Sequence, residues 1–152
     1  MIVLGINSYT HDVGAALCID GKIKYAVEEE RLSRQKHHLG IEANGTPPRL
    51  AVAYVLDEAG ISLTELDRIV HVGWKGTDYL KLDLAGRVLR EYAKELDPSE
   101  KRTSFVHHHL CHAASGYYAS GFNEGLVASI DGVGDWVSTS LWIGKDGKLE
   151  KV

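Results

Sequence analysis

The amino-acid sequence predicts an α/β fold in which helices cover a mixed sheet. The first 30 residues contain apolar runs of strand length that are separated by turn-forming residues. The rest of the chain alternates similar runs with longer segments of helical period. The predicted order β-β-β-α-β-α-β-α-β, followed by further strands, indicates a mixed sheet with helices on its faces.

Three strands are predicted at the start of the chain. Residues 1–8, MIVLGINS, form an apolar run that ends in polar turn formers, which predicts a buried strand. Residues 13–19 and 22–30 flank Asp20-Gly21, and an Asp-Gly pair between two such runs indicates a hairpin. The chain is therefore expected to open with three adjacent antiparallel strands.

A long loop and a first helix are expected next. Residues 31–46 show no period, and long loops inside compact domains are often functional. A helix is predicted to begin near Pro48 and to end at Gly60, because proline favours first turns and glycine favours helix ends. The apolar side chains expected along this helix are Leu50, Ala53, Tyr54 and Leu56.

The middle of the chain predicts a strand over 66–74 and a long amphipathic helix over 77–96. Asp97-Pro98 should end that helix. Its expected apolar stripe consists of Leu80, Leu84, Val88, Leu89, Tyr92 and Leu96.

The last third of the chain begins with a predicted strand over 102–108 and a helix over 109–120. A strand over 125–135 then leads into a glycine-rich turn. A second hairpin is expected around residues 145–147, and the sequence shows no internal repeat.

The composition limits the function classes. A length of 152 residues allows about one domain with a real core, and a net charge of −4 does not favour nucleic-acid binding. Two cysteines form no disulfide framework and suit a reducing cytosol. The sequence has no signal-peptide pattern and no apolar run of about 18 residues. We therefore expect a cytoplasmic protein that does not contact membranes.

The segment VHHHLCHAASGYY contains four of the eight histidines of the chain. Residues four apart on a helix share one face, which is the spacing of helical two-histidine metal sites. His108 and His112 meet this spacing, and so do His107 and Cys111, which would form a softer thiolate site. His109 and His112 are three apart and also face one another. Spacing alone leaves these three pairs open.

A third ligand is suggested by the segment SIDGVGD. Asp131 ends an apolar run and is followed by Gly132 and Gly134, which let a backbone approach a metal or a phosphate closely. An ordinary Asp-Gly turn has the same sequence. Two histidines with one carboxylate and open positions suit Fe(II), or zinc acting as a Lewis acid.

Three motifs resemble one enzyme family. HHLCHAASGYY is followed about a dozen residues later by a strand that ends in DGVGD, the opening is LGINSYTHDVGAALCIDGKI, and residues 28–37 are EEERLSRQKH. In this order and spacing they resemble the carbamoyltransferases that modify antibiotics and nodulation factors. The match extends over nearly the whole chain.

The resemblance implies a ribonuclease-H-like half-domain of the actin-like ATPase superfamily, close to the tRNA threonylcarbamoyl-transfer proteins. Residues 1–152 would form the first half of that domain, and the second half and a separate C-terminal domain would lie outside the chain. The resemblance assigns the metal to His108, His112 and Asp131, with a fourth aspartate from the second half. Fe(II) is favoured as the metal, with Zn or Mn as alternatives, because no thiolate takes part.

The chemistry that the resemblance implies has two steps. Carbamoyl phosphate and ATP form a carbamoyl-adenylate, and the carbamoyl group then moves to a hydroxyl of a small-molecule acceptor. A hydroxyl nucleophile needs a general base, and an imidazole works near neutral pH. His11 matches the histidine for that role, and the neighbouring Asp12 would orient His11 or the acceptor.

The remaining candidate residues lie near these motifs. Lys36 and Arg34, in the predicted loop, are expected to bind the phosphate or the carbamoyl group. Gly132 and Gly134 are expected in the nucleotide loop, and Cys111 is expected to pack away from the histidine pair. One of the glutamates 28–30, which should alternate across a strand, is expected to face the site.

Two rival functions are transfer of threonylcarbamoyl to tRNA and a stand-alone metal- or partner-binding module. The opening NSYTHDVG departs from the ESSCDET type of the tRNA-modifying relatives, and the charge of −4 also disfavours tRNA. The expected partner is the missing half of the same protein. Without it, an exposed apolar sheet face would favour self-association.

Overall fold

The computed structural model of the protein describes residues 1–43, 45–73 and 84–152. It divides into two compact units, Met1–Phe105 and Val106–Val152. Each unit has its own sheet, and the two candidate site clusters lie in different units.

The first unit contains a five-stranded mixed sheet. Strands β1 (Ile2–Asn7), β2 (Gly14–Ile19) and β3 (Lys22–Glu28) form an antiparallel meander, as predicted. Strand β4 (Arg68–Val72) pairs parallel to β1, and β5 (Thr103–Val106) completes the order β3-β2-β1-β4-β5. The predicted mixed α/β sheet is confirmed.

The helices of this unit follow the sheet strands. They are α1 (Glu29–Ser33), α2 (Arg49–Ala59) and α3 (Leu84–Leu96), with short 3-10 turns at Ile41–Ala43 and Leu63–Glu65. The expected strand over 22–30 ends at Glu28, because the next two glutamates begin α1. The loop expected over 31–46 is partly wrong, because α1 extends to Ser33. Residues 77–83 of the expected long helix, and Trp74, lie outside the described residues.

Of the four apolar side chains expected along helix α2, Leu56 is buried and the other three are exposed. Leu50 and Tyr54 are 48% and 39% exposed, and Ala53 is also exposed. Apolar residues surround most of this helix, so its own sequence does not define one buried face. Packing against β2 and β3 determines which side chains are buried. The buried side chains are Ala51, Val52, Val55 and Leu56, which pack with Leu4, Ile6, Leu17 and Ile69.

The buried carboxylate of Glu29 contacts the first turn of α2. Glu29 is 3% exposed, and its oxygens accept the backbone N–H groups of Leu50 at 3.1 Å and Ala51 at 2.6 Å. Helix N-termini leave such N–H groups without partners, and Pro48 offers no capping side chain. Glu29 therefore has a structural role in capping the helix.

The turn after α3 depends on Asp97, which is 1% exposed. Its carboxylate accepts Arg102 N–H at 2.9 Å, the Ser99 hydroxyl at 2.8 Å and the Thr103 hydroxyl at 3.1 Å. Burial by itself would raise the pKa of Asp97, but these donors lower it to about 2. The charged form is therefore the one that the fold stabilises.

We expect Asp97→Asn to lower the free energy of unfolding by about 2 kcal/mol near neutral pH, because an amide NH2 would face donors. The pKa of Asp97 is lower in the folded protein than in the unfolded chain. The charged Asp97 carboxylate therefore stabilises the fold above about pH 4, and this contribution is lost as the pH falls towards about 2. Urea unfolding of both proteins, followed by circular dichroism, measures the difference. A difference that does not shrink in acid would contradict this account.

The second unit consists of one helix and one antiparallel sheet. Helix α4 (His108–Ser120) precedes β6 (Glu124–Gly134), β7 (Val137–Lys145) and β8 (Lys148–Lys151), and the strand order is β6-β7-β8. The predicted helix and second hairpin are confirmed. Helix α4 packs on one face of this sheet.

The two meanders share one turn geometry, although no repeat is visible in the sequence. Asp20 and Gly21 have φ of 50° and 75°, and Asp146 and Gly147 have φ of 49° and 73°. Two successive left-handed residues form the tight hairpin turn whose twist matches the flanking strands. The repetition is therefore one of backbone topology.

The face of the second sheet that lacks α4 is apolar. Its cross-strand pairs Leu126↔Ile143 and Ala128↔Leu141 alternate with side chains that point towards the helix. Leu126 is 70% exposed and Ile143 is 47% exposed. Within the described residues, no helix is long and apolar enough to cross a lipid bilayer.

Candidate active site

The three metal ligands expected from the sequence lie together in the second unit. His108 Nε2 is 2.8 Å from Asp131 Oδ2, and His112 Nε2 is 2.8 Å from His108 Nε2. The third side of this triangle, from His112 Nε2 to Asp131 Oδ2, measures 3.6 Å. Helix α4 provides both imidazoles one turn apart, and β6 provides the carboxylate.

These donor atoms suit a divalent cation. For metal–ligand bonds of about 2.1 Å, neighbouring ligand atoms lie about 3.0–3.4 Å apart, which is close to the observed sides of 2.8–3.6 Å. A ring nitrogen carries either one proton or one lone pair. His108 Nε2 therefore cannot make full hydrogen bonds to both neighbours, whereas a cation would accept a lone pair from each of the three atoms.

The carboxylate of this triangle is held in its charged form. Burial by itself would raise the pKa of Asp131, but hydrogen bonds from the Gly132 N–H, at 2.7 Å, and from His108 lower it below its ordinary value. A metal ligand must be deprotonated, so this environment prepares Asp131 for coordination.

The thiol alternative is disfavoured by the environment of Cys111. Burial raises the pKa of Cys111 to about 11, so the group stays a thiol near neutral pH. Its sulfur lies 4.0 Å from the carbonyl oxygen of Val106, and His107 uses Nδ1 to accept His109 N–H at 3.1 Å. His107 and Cys111 therefore have packing and capping contacts of their own.

His109, the third alternative, is fully buried. Its Nε2 donates to the Val137 carbonyl at 2.8 Å, and its Nδ1 lies 2.9 Å from Ser140 Oγ. Both ring nitrogens are thus engaged with β7, so His109 anchors α4 to the sheet. Among the three pairs that spacing left open, only His108 and His112 converge on a carboxylate in the described part of the chain.

Gly134 makes room for the His108 ring. A Cβ added to Gly134 would lie 2.2 Å from His108 Cδ2 and 2.7 Å from Nε2, whereas one added to Gly132 would meet nothing within 4 Å. Asp135 accepts the backbone N–H of His108 at 2.7 Å and so fixes the first turn of α4. The expected nucleotide-loop role of both glycines stays a prediction, but the close contact shows why Gly134 lacks a side chain.

A second cluster lies in the first unit and contains the expected base. His11 Nδ1 is 2.7 Å from Asp12 Oδ2, and His37 Nδ1 is 3.0 Å from Asp12 Oδ1. Hydrogen bonds from His11 first, and then from His37, lower the pKa of Asp12. The carboxylate is therefore charged, and it accepts one imidazole on each oxygen.

The loop that carries His11 and Asp12 is anchored at several backbone positions. Asn7, at the end of β1, donates its amide to the carbonyl oxygens of His11 at 3.4 Å and Asp12 at 3.2 Å. Gly40 N–H donates to the Thr10 carbonyl at 2.6 Å, and a Cβ on Gly40 would lie 2.6 Å from the Ser8 carbonyl oxygen. Glycine is needed there because the two loops touch.

His37 is the residue of this cluster to which the sequence analysis assigned no role. Glu30, 17% exposed, accepts His37 N–H at 2.6 Å. Glu30 is thus the glutamate of the EEE run that faces the cluster. Lys36 is exposed next to His37, and Arg34 is exposed at the end of α1. The phosphate- or carbamoyl-binding role of Lys36 and Arg34 stays a prediction.

Sequence comparison shows which proteins the chain resembles. The family model described as "Carbamoyltransferase N-terminus" matches residues 2–100 and 76–151. The nodulation protein NolNO of Sinorhizobium fredii is 36% identical over 95% of this chain and 23% of its own length. An uncharacterized Synechocystis protein, sll1178, is 35% identical over 97% of this chain and 28% of its own length. The chain thus spans about a quarter of the length of these relatives.

Structure comparison supports the fold alone. YeaZ from Pseudomonas aeruginosa covers the whole chain with a TM-score of 0.61 at 16% identity, and the chain covers 66% of YeaZ. A PPX-GPPA enzyme from Aquifex aeolicus covers the whole chain with a TM-score of 0.51 at 17% identity, over 51% of that enzyme. These likenesses show that the chain shares the fold of these two proteins, and the expected mixed α/β fold is confirmed.

Proposed function

Because this chain belongs to the carbamoyltransferase N-terminal family, we propose that it forms part of an ATP-dependent O-carbamoyltransferase. The complete enzyme would convert carbamoyl phosphate, ATP and water to a carbamoyl-adenylate, phosphate and pyrophosphate. It would then transfer the carbamoyl group to a hydroxyl of a small-molecule acceptor. In this proposal the chain contributes a metal centre and a general base.

The observation that carries the proposal is the convergence of ligand atoms from His108, His112 and Asp131, which lie 2.8–3.6 Å apart. These residues lie in the motifs through which the sequence resembles the family. An ordinary Asp-Gly turn would not require two imidazoles from a facing helix. A catalytic metal site with three protein ligands and open positions does require such a set.

In the second unit, the proposed ligands hold a divalent metal, with Fe(II) favoured and Zn or Mn as alternatives. When bound, such a metal supplies positive charge that offsets the phosphate charge of the nucleotide and of the leaving AMP. Asp131 contributes a charged oxygen, and Gly132 N–H keeps that carboxylate in place. Asp135 orients the first turn of α4, and with it His108.

In the first unit, His11 is the proposed base for the acceptor hydroxyl. A charged carboxylate only accepts hydrogen bonds, so the His11 nitrogen that faces Asp12, Nδ1, carries the proton. In the neutral ring this leaves the lone pair on Nε2. That nitrogen would take the hydroxyl proton as the hydroxyl oxygen bonds to the carbamoyl carbon and the bond from that carbon to the AMP oxygen breaks.

Two exposed basic residues of the first unit have a proposed role in substrate binding. Lys36 and Arg34 carry positive charge in the loop that contains His37, and they would bind the phosphate or the carbamoyl oxygen. Arg34 has a φ of 61°, which is uncommon for a non-glycine residue and fixes the direction in which the loop leaves α1.

A chimeric enzyme would test the proposal. Residues 1–152 would replace the equivalent residues of a complete, active carbamoyltransferase of the same family. Transfer would be followed by mass spectrometry with carbamoyl phosphate, ATP and the acceptor of the recipient enzyme. We expect measurable transfer by the chimera and a loss of about 100-fold or more in the His11→Ala chimera, as for removal of a general base.

The matched control is Gln35→Ala in the same chimera, because Gln35 is an exposed residue of the same loop. We expect this variant to retain transfer. A folded chimera that binds metal and ATP but transfers no carbamoyl group would refute the proposed function.

A further inference from the structure

We infer that His37 is a positioning residue of the acceptor-activating cluster: it holds the Asp12 carboxylate that orients His11. The inference rests on the proposed function only in that His11 is taken as the base. It assigns His37 a role through its Nδ1–H, and it does not require His37 to touch the substrate.

The first argument is the division of the carboxylate between two imidazoles. Asp12 Oδ2 lies 2.7 Å from His11 Nδ1, and the other oxygen lies 3.0 Å from His37 Nδ1. His11 is the immediate neighbour of Asp12, whereas His37 comes from a loop 25 residues further along the chain. A carboxylate bound on both oxygens cannot rotate without breaking a hydrogen bond, so His37 prevents rotation about the Cβ–Cγ bond of Asp12.

The second argument is that unusual backbone geometry and neighbouring hydrogen bonds fix the position of His37. Its φ of 57° and the φ of 49° at Asp12 both lie in the left-handed region, where non-glycine residues are uncommon. The Glu30 carboxylate accepts His37 N–H at 2.6 Å, which fixes the backbone at this point. The next residue, His38, is buried and bonded through both ring nitrogens. The imidazole of His37 is thus held from both sides, although its side chain is 64% exposed.

The third argument concerns the protonated nitrogen of His11. The hydrogen bond that one ring nitrogen makes determines which nitrogen carries the proton. The charged Asp12 oxygen selects the Nδ1–H form of His11 only while it stays beside Nδ1. Loss of His37 would free one oxygen and allow the carboxylate to turn. The Nε2–H form of His11, which has no lone pair on Nε2 to accept the hydroxyl proton, would then become populated.

Three substitutions separate a positioning role from direct catalysis. Asparagine carries an amide N–H near the place of Nδ1 and tolerates left-handed φ values, so His37→Asn preserves the donor to Asp12. His37→Gln places its amide nearer the position of Nε2, and His37→Ala has no donor. Gln35→Ala, at another exposed position of the same loop, is the matched control.

The first readout is the protonated nitrogen of His11, measured by 15N NMR of the imidazole rings in residues 1–152. We expect His11 to remain in the Nδ1–H form in the wild type, in His37→Asn and in Gln35→Ala. We expect a mixture of the two neutral forms in His37→Ala and His37→Gln. An unchanged His11 ring in His37→Ala would overturn the inference, and it would do so whatever the activity of the enzyme.

The second readout is kcat of the chimeric carbamoyltransferase. We expect His37→Ala to lower kcat by about 10- to 100-fold, which is less than the roughly 10²- to 10⁴-fold contribution of a general base. His37→Asn should restore most of that loss. An equal loss in His37→Asn and His37→Ala would overturn the positioning role and would indicate that the His37 ring touches the substrate. An inactive wild-type chimera would refute the proposed function, while the NMR result would still decide the inference.

Discussion

Replacing both His108 and His112 with alanine should lower the affinity of the protein for a divalent metal by about 1,000-fold or more, because two of three ligands are removed. The remaining ligand, Asp131, would then be a single carboxylate on a strand, and a lone carboxylate binds such ions weakly. Titration calorimetry with Fe(II) under anaerobic conditions, and with Zn(II) and Mn(II), would measure the affinities. Plasma mass spectrometry after anaerobic purification would measure the metal content.

The control for this experiment is the pair with the same spacing that lies one position earlier in the chain, His107 and Cys111. His107→Asn/Cys111→Ala removes the alternative thiolate site and keeps a residue type that caps helices well. We expect this double variant to bind metal as the wild type does. Loss of metal from the control, with retention in His108→Ala/His112→Ala, would show that the site was assigned to the wrong pair.

Gly134→Ala is expected to lower the same metal affinity by about 10- to 100-fold, the usual effect of disturbing a group that orients a ligand. The added Cβ would lie 2.2 Å from His108 Cδ2, which no pair of unbonded carbon atoms tolerates. The His108 ring must therefore turn away from Asp131 and His112, or the strand must move. The φ of Gly134 is not in the left-handed region, so the effect comes from the contact alone.

Gly132→Ala is the matched control, because it lies two residues earlier on the same strand with open space around its Cα. It keeps the backbone N–H that Asp131 accepts at 2.7 Å. We expect its metal affinity to stay within about twofold of the wild type, and the same calorimetric titration measures both variants. If both alanine variants lost affinity equally, the steric role of Gly134 would be wrong.

The hairpin turn between β6 and β7, next to this site, has non-glycine residues in left-handed backbone geometry. Asp135 and Trp136 have φ of 51° and 65°, although neither is glycine. Such backbone costs free energy and persists only where surrounding contacts enforce it. Here the Asp135 carboxylate accepts His108 N–H, so the strained turn helps to fix the start of α4. This positional role could not be read from the DGVGD motif.

Features that depend on residues close together in the chain could be predicted from the sequence. The hairpins at Asp20-Gly21 and Asp146-Gly147 follow from residues that tolerate left-handed backbone, and both are present. The convergence of His108 and His112 follows from helical periodicity once a helix begins near His108. Three motifs in a fixed order were enough to indicate the family, because their spacing is specific.

Only the tertiary structure decided which pairs meet across long stretches of chain. Asp12 and His37 are 25 residues apart, and His108 lies against Gly134 from another element. The sequence did not indicate which face of α2 is buried, because apolar side chains surround that helix and packing against the sheet selects among them. The same holds for the EEE run, in which Glu29 caps α2 and Glu30 binds His37 N–H. Local propensity cannot encode these contacts, because each depends on where a distant segment packs.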